Sequence, residues 1–335
     1  MTKMSDLLRD LTEEVLSKVP LTSLRKELCK EAPWPSKRRS IYLMSIDLNK
    51  DNVESCITRE GKLISGSDEV DIARLFHCDG LLLFIPKGRT SSTRLVVCNP
   101  YSGQTRFIKS TFYFRNWWNY SYALGYEKSS RSCSSRKHKV LRSWRVEHYD
   151  RGLSLKGNIY WFANKKRSDK SDGDRSFLVC FDFTREIFGP PLTLPFEPFD
   201  EDTVSLSSVR EEQLAVLFQR WDSLEMEIWV TTKIDPENVS WNTKVFFLEV
   251  DMRSLTRFDF QFLLTAATFF IDEEKKVAVV FDKNNERPIV DDRSRNVAYI
   301  VGVDGSLREA DLGDSNDINC YPLACSYVPS LAKLT

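Results

Sequence analysis

The chain has 335 residues, 41% hydrophobic and 29% charged, with 48 Lys and Arg against 48 Asp and Glu. That length and apolar content suffice for one large packed domain or two medium ones. Zero net charge excludes whole-molecule attraction to nucleic acid or to acidic membranes.

The opening stretch, SDLLRDLTEEVLSKVPLTSLRKEL (residues 5–28), differs in pattern from the rest of the chain. Leu7, Leu8, Leu11, Val15, Leu16 and Val19 recur at steps of three and four, which predicts a helix. They span an arc of about 180°, wider than the stripe of a helix packed on a single surface. Ser5 suits the N-cap, Pro20 stops the helix, and Thr22 or Ser23 can cap a second helix through Leu24 and Leu28. Lys3, Asp6, Arg9 and Asp10 interrupt any apolar run after Met1, and no uncharged run approaches the roughly 18 residues that span a bilayer. The protein is therefore expected in the nucleus or cytoplasm, off the membrane, with its eight cysteines reduced.

From about Ile41 the pattern changes to short apolar runs separated by turn clusters every 8–12 residues. GLLLFIP (80–86), RLVVCNP (94–100), FLVCFDF (177–183), LAVLFQRW (214–221), MEIWVTT (226–232), KVFFLEV (244–250), KVAVVFD (276–282) and VAYIVGV (297–303) read as strands. No long helical pattern lies between them, so a parallel βαβ architecture is excluded. VVCNPYSGQTRFI and LVCFDFTREIFGPPLTL share one grammar: strand, Asn or Asp, tight turn, strand. Asp251 and Asp304 stand at the same place in two further copies, and Gly103 or Gly305 supplies a positive φ. Each such hairpin is the outer half of a four-stranded blade, and residues 40–335 hold about six or seven blades at roughly 40–45 residues each. The expected fold is mainly β and propeller-like, preceded by a short α-helical segment.

Little of the chain offers chemistry. With three histidines, a three-histidine metal site would need His77, His138 and His148 together. His77 and Cys78 are neighbours on a strand and so face opposite ways, better suited to packing and capping a turn than to catalysis. Cys98, Cys180, Cys320 and Cys325 sit in or beside apolar runs as small core residues. Asp272, Glu273 and Glu274 read as a solvated acidic turn. No P-loop, dinucleotide fingerprint or HExxH motif is present, so no catalytic residue, metal or cofactor is expected. KSSRSCSSRKHKVLRSWR (128–145) carries seven Lys or Arg and no acid, just after FYFRNWWNYSY. Such a mixture can grip single-stranded nucleic acid, but zero net charge favours a solvated Ser-rich loop. Trp117, Trp118, Tyr120 and Arg142 are the residue types of protein-binding hot spots.

DLLRDLTEEVLSKVPLTSL resembles the start of an F-box. Leu7, Asp10, Leu11, Glu14, Val15, Leu16, Val19, Pro20, Ser23 and Leu24 fit its pattern, and Leu8 stands where Pro is usual. The family's third helix is then interrupted, because LCKEAPWPSKRR contains Pro33 and Pro35. FHCDGLLLF, RLVVCNPYSGQTRFI, YALGYE, GLSLKGNIYWFA, FLVCFDFT, SVREEQLAVL, MEIWVTTKI and FFIDEEKKVAV resemble, in order, the F-box-associated (kelch-like) domain of a large plant family. SWRVEHYDRGLSLKG departs by passing straight from a strand into a Gly-rich turn where that family has a further strand pair, so one blade is expected to be incomplete. The resemblance implies three segments: a partial F-box over 1–32, a linker over 33–40 and the propeller over 41–335. It further implies a substrate receptor of an SCF-type ubiquitin ligase. In it Leu7, Leu8, Leu11, Val15, Leu16, Val19, Pro20 and Leu24 would bind a Skp-type adaptor and, through it, a cullin, while the propeller holds a protein substrate. The alternatives are an adaptor-independent interaction module or inactive relative, and an RNA-binding propeller using Arg131 to Arg145.

Overall fold

The structure, a computed structural model, describes residues 22–27, 40–46, 57–64, 72–86, 94–109, 121–128, 136–143, 152–164, 176–242, 248–251, 261–262, 268–283, 294–315 and 330, 332 and 334. Among the described residues there is no helix, and six antiparallel sheets succeed one another along the chain. The first contains β1 (Thr22–Glu27), β2 (Ser40–Ile46) and β3 (Ile57–Ile64). The second contains β4 (Ile72–Cys78), β5 (Leu81–Pro86), β6 (Arg94–Asn99) and β7 (Gln104–Lys109), and the third only β8 (Ser121–Glu127) and β9 (Lys137–Ser143). The fourth contains β10 (Leu153–Leu155), β11 (Asn158–Asn164), β12 (Ser176–Asp182), β13 (Ile187–Phe188) and β14 (Leu192–Thr193). The fifth contains β15 (Thr203–Val209), β16 (Gln213–Gln219), β17 (Glu225–Ile234), β18 (Val239–Asn242) and β19 (Leu248–Asp251). The last contains β20 (Thr268–Asp272), β21 (Val277–Lys283), β22 (Ser294–Gly302) and β23 (Leu307–Ser315).

This is a propeller. The first strands of successive sheets, β4, β8, β10, β15 and β20, touch one another in turn around the middle. Four of the six sheets are full blades of four or five strands. The sequence spacing predicts six or seven; the two other sheets have three and two strands among the described residues.

Blade stacking explains why the second strands are apolar without interruption. A strand exposed on one face alternates polar and apolar residues, whereas one covered on both faces does not. In β16, Leu214, Val216 and Phe218 pack with Leu155, Tyr160, Leu178 and Cys180 of the preceding blade. The alternate residues Ala215 and Leu217 pack with Phe269, Ile271, Ala278 and Val280 of the next blade. Ile159 and Trp161 of β11 likewise pack back against Ala123 of β8, while Tyr160 points forward. The period of two is intact, but both faces are core.

The repeated hairpin grammar is realised as capped turns. Asn99 Oδ1 accepts from the Tyr101 and Ser102 amides, Asp182 Oδ1 from Thr184 and Arg185, and Asp272 Oδ1 from Glu274 and Lys275. Asp304 Oδ1 accepts from the Ser306 amide, and Gly103 and Gly305 have φ of 69° and 79°. In each case a short side chain bonds the backbone two or three residues on and fixes the turn.

One expectation is overturned. The second helix expected through Leu24 and Leu28 is replaced by β1, in which Leu24 pairs with Leu43 of β2. Leu21, Leu24 and Leu28 make too short an apolar repeat between Pro20 and Pro33 to nucleate a helix, and β2 supplies the backbone partners instead. The first expected helix, through Leu7 and Val19, lies outside the described residues.

Candidate protein-interaction surface

The hairpins joining the first and second strands of each blade gather at one face. Asp79 and Gly80 (φ 53° and 72°) close β4 to β5, and Lys156 and Gly157 (50° and 81°) close β10 to β11. Positive φ at both central residues is the two-residue turn whose twist matches the flanking strands. The Tyr126 amide at the end of β8 donates to Gly157 O at 3.1 Å. Arg136 pairs with the Asp79 carboxylate, and its guanidinium lies 4.6 Å over the Tyr126 ring. His138 Nε2 stands 3.0 Å from the second Asp79 oxygen, its ring edge-on to Tyr126 at 5.7 Å. Farther round, Arg210 Nε donates to Glu273 at 2.7 Å, joining the β15–β16 and β20–β21 turns.

The charges here are mutually felt. Glu211 is exposed as a whole residue, yet its carboxyl group stands among the gathered turns. Loss of solvent and then the like charge of Asp79 push it above the usual range, against Arg136. Burial pushes the Cys78 thiol far up and lowers His77 to about 4 despite Asp79 nearby. A nucleophilic cysteine needs the opposite shift, so Cys78 is a protonated core thiol. His77 Nε2 accepts from the Gly80 amide at 3.3 Å, the turn-capping role expected for it. Cys98 and Cys180 are also raised by burial, each to about 12. Among the described residues no three His, Cys, Asp or Glu side chains gather as a metal cage. This face is a set of charged rivets between blades.

The opposite end of the fifth blade is different. There Asp202, itself buried, accepts at Oδ2 from the Phe199 amide (2.8 Å) and at Oδ1 from the Trp221 amide (2.9 Å). One carboxylate thus ties the β14–β15 connection to the β16–β17 turn. Phe196 of the same connection stacks on Phe218 at 4.1 Å and belongs to the core. Phe199 and Trp221 do not: they are 64% and 50% exposed. Two large aromatics are thus held in water with their backbones fixed by one buried carboxylate.

Of the residues singled out in the sequence, Trp117, Trp118 and Tyr120 lie outside the described residues, as do Leu7, Leu8, Leu11, Val15, Leu16, Val19 and Pro20. Leu24 is in β1, and Arg142 is a half-buried residue of β9 opposite Tyr122. Phe199 and Trp221 were not among the candidates. The available signal was a Trp inside the charged turn RWDS between two apolar strands, where no core position exists for it. The acidic turn Asp272–Glu274 is a hairpin as expected, with Glu274 exposed and Glu273 engaged by Arg210.

The model of the F-box associated beta propeller domain matches residues 34–151 and 142–334. An F-box protein of Arabidopsis thaliana, At3g19470, is 47% identical and covers 99% of this chain and 100% of its own length. A putative F-box protein of the same plant, At3g24580, is 48% identical over 99% of each. The F-box/kelch-repeat protein At3g16740, also from Arabidopsis thaliana, is 43% identical over 100% of each. The first alignment runs over 397 positions, so at least 62 of them, the excess of 397 over 335, have no residue here. The family model matches in two ranges that overlap at residues 142–151, from the end of β9 onward, and the β8–β9 sheet has two strands among the described residues. Among solved structures, an endo-arabinase from Bacteroides thetaiotaomicron is 10% identical over 79% of this chain and 97% of its own, with a TM-score of 0.36, too low to carry any inference. By sequence, the chain belongs to the plant F-box proteins that carry an F-box associated beta propeller domain.

Proposed function

We propose that the protein is the substrate-recognition subunit of an SCF-type ubiquitin ligase. The observation that carries this reading is family membership over nearly the whole chain: F-box relatives aligned across 99–100% of it, and the propeller model across residues 34–334. The N-terminal segment binds a Skp-type adaptor, and through it a cullin, using Leu7, Leu8, Leu11, Val15, Leu16, Val19, Pro20 and Leu24. The propeller holds a protein substrate, so the subunit works by raising effective concentration and not by chemistry of its own. It acts in the nucleus or cytoplasm and needs no cofactor.

A second reading has an observation of its own. Because Thr22–Glu27 is built into a sheet with β2, the N-terminal segment can instead serve the propeller as a structural cap in an adaptor-independent module. Pull-down with recombinant Skp-type adaptor decides between them. On the ligase reading the wild-type chain binds at micromolar concentration and Leu11→Ala/Leu16→Ala does not, since a loss of about 3 kcal/mol weakens binding roughly 150-fold. Wild-type protein without adaptor affinity would leave the cap reading standing.

A further inference from the structure

We infer that Phe199 and Trp221 form the centre of a docking site for a lysine- or arginine-bearing segment of a partner protein. The contact does not need the ligase reading; only the fate of the bound partner rests on it. Three observations converge. The two aromatics are the largest exposed apolar side chains at this end of the fifth blade, and their backbones are fixed by the one Asp202 carboxylate. A held aromatic loses little freedom on binding, the property that makes Trp a frequent anchor of interfaces.

The charge around them is one-sided. Glu197, Asp200, Glu201 and Asp222, all exposed, flank the pair in sequence. The basic residue of the same turn, Arg220, is drawn inward over the Phe218 ring at 5.2 Å. On a molecule of zero net charge, the exposed charged side chains next to the two aromatics in sequence are therefore all acidic. A cation is favoured twice there, by the carboxylates and by the Trp face.

The described part of the chain's own basic stretch is engaged elsewhere. Its described base, Arg136 and His138, is bound to Asp79 at the turn between the first and second strands. Phe199 and Trp221 sit at the opposite ends of those strands, where Thr203 pairs with Gln219.

The test is selection of a random twelve-residue display library on the full chain, with counter-selection on Phe199→Ser/Trp221→Ser. Selected peptides should be rich in Lys or Arg, bind wild type at least about thirtyfold more tightly than the double variant, and lose affinity as salt rises. Glu197→Lys/Asp200→Lys/Glu201→Lys should abolish their binding too. Both variants change exposed side chains and should melt with the wild type, which separates loss of the site from loss of the fold. The inference is overturned by peptides without a basic preference, by equal binding to the double variant, or by no enrichment. It is also overturned if wild-type protein self-associates through this patch, read as a concentration-dependent mass that the double variant abolishes. Adaptor pull-down, run separately, reports on the ligase reading alone.

Discussion

Asp202 and Trp221 are joined by one short hydrogen bond, the Trp221 amide donating to the buried carboxylate at 2.9 Å. The other oxygen of that carboxylate serves Phe199 at 2.8 Å. The side chain of Asp202 therefore replaces the backbone partners that two segments lack where they leave the sheet. Asp202→Ala leaves two part-buried donors without their carboxylate and should cost about 2–4 kcal/mol, at about 1–2 kcal/mol for each. Asp202→Asn should be nearly as costly, because its amide turns one acceptor into a donor facing an N–H. Urea midpoints of the two variants test this; a shift under about 0.5 kcal/mol for both would refute it.

Asn99 connects distant parts of the chain. Its Oδ1 caps its own turn, while Nδ2 donates to Ser330 O at 2.8 Å and Ala332 O at 2.9 Å. Ala332 and Leu334 pack against the core of the same blade. Asn99→Asp keeps the turn acceptor but places a carboxylate oxygen against two carbonyls in a fully buried site. We expect a loss of about 3 kcal/mol and faster removal of the C-terminal residues by carboxypeptidase. Wild-type resistance in the variant would show that the tail is held some other way.

Gly125 of β8 sits where two sheets meet. A Cβ there would lie 2.2 Å from the Phe183 ring and 2.7 Å from Gly157 O. Since Gly157 O accepts from the Tyr126 amide, relieving the clash breaks the seam between the two-stranded sheet and its neighbour. Gly125→Ala should cost about 3 kcal/mol, at the upper end for overpacking. Gly103→Ala meets nothing within 4 Å and bears only the cost of its positive φ, about 1 kcal/mol. Thermal melts of the pair give the comparison, and equal losses would contradict it.

The range of each interaction decides how much of the molecule was legible in the sequence. GLLLFIP, RLVVCNP, LAVLFQRW and KVAVVFD are strands β5, β6, β16 and β21, because apolar runs bounded by turn residues are local signals. Asn99, Asp182 and Asp304 cap their turns as read, since those bonds span two or three residues. The pairing of Asp79 with Arg136 and His138 spans 57 and 59 residues, and only the propeller brings those turns together. Phe199 and Trp221 were invisible as a pair for the same reason, their common partner being Asp202. Thr22–Glu27 is a strand and not the expected helix because so short a leucine repeat carries no more helical than extended information, and its strand partner lies outside the segment.

His77 makes stability depend on pH in a defined window. Burial lowers it to about 4 in the folded protein, from 6.5 when solvated, against the opposing charge of Asp79. Above about pH 6.5 both states leave it neutral and its contribution is complete. Between about 6.5 and 4 the unfolded chain takes up a proton that the folded chain refuses, so stability falls with pH, by at most about 3 kcal/mol. Below about 4 the folded state titrates too and the loss stops growing. Glu211 has the opposite sign: its raised folded value makes proton uptake favour the native state as pH falls toward the ordinary carboxylate range. The wild-type slope is the net of the two, so the difference between wild type and His77→Gln isolates the imidazole. Glutamine offers an oxygen to the Gly80 amide but takes up no proton. Urea midpoints at about pH 7.5 and 4.5 should show His77→Gln losing about 2–3 kcal/mol less than wild type on acidification. Parallel losses in the two proteins would mean that His77 takes up its proton while folded, and that its burial at the turn is not what the hydrogen bond to Gly80 implies.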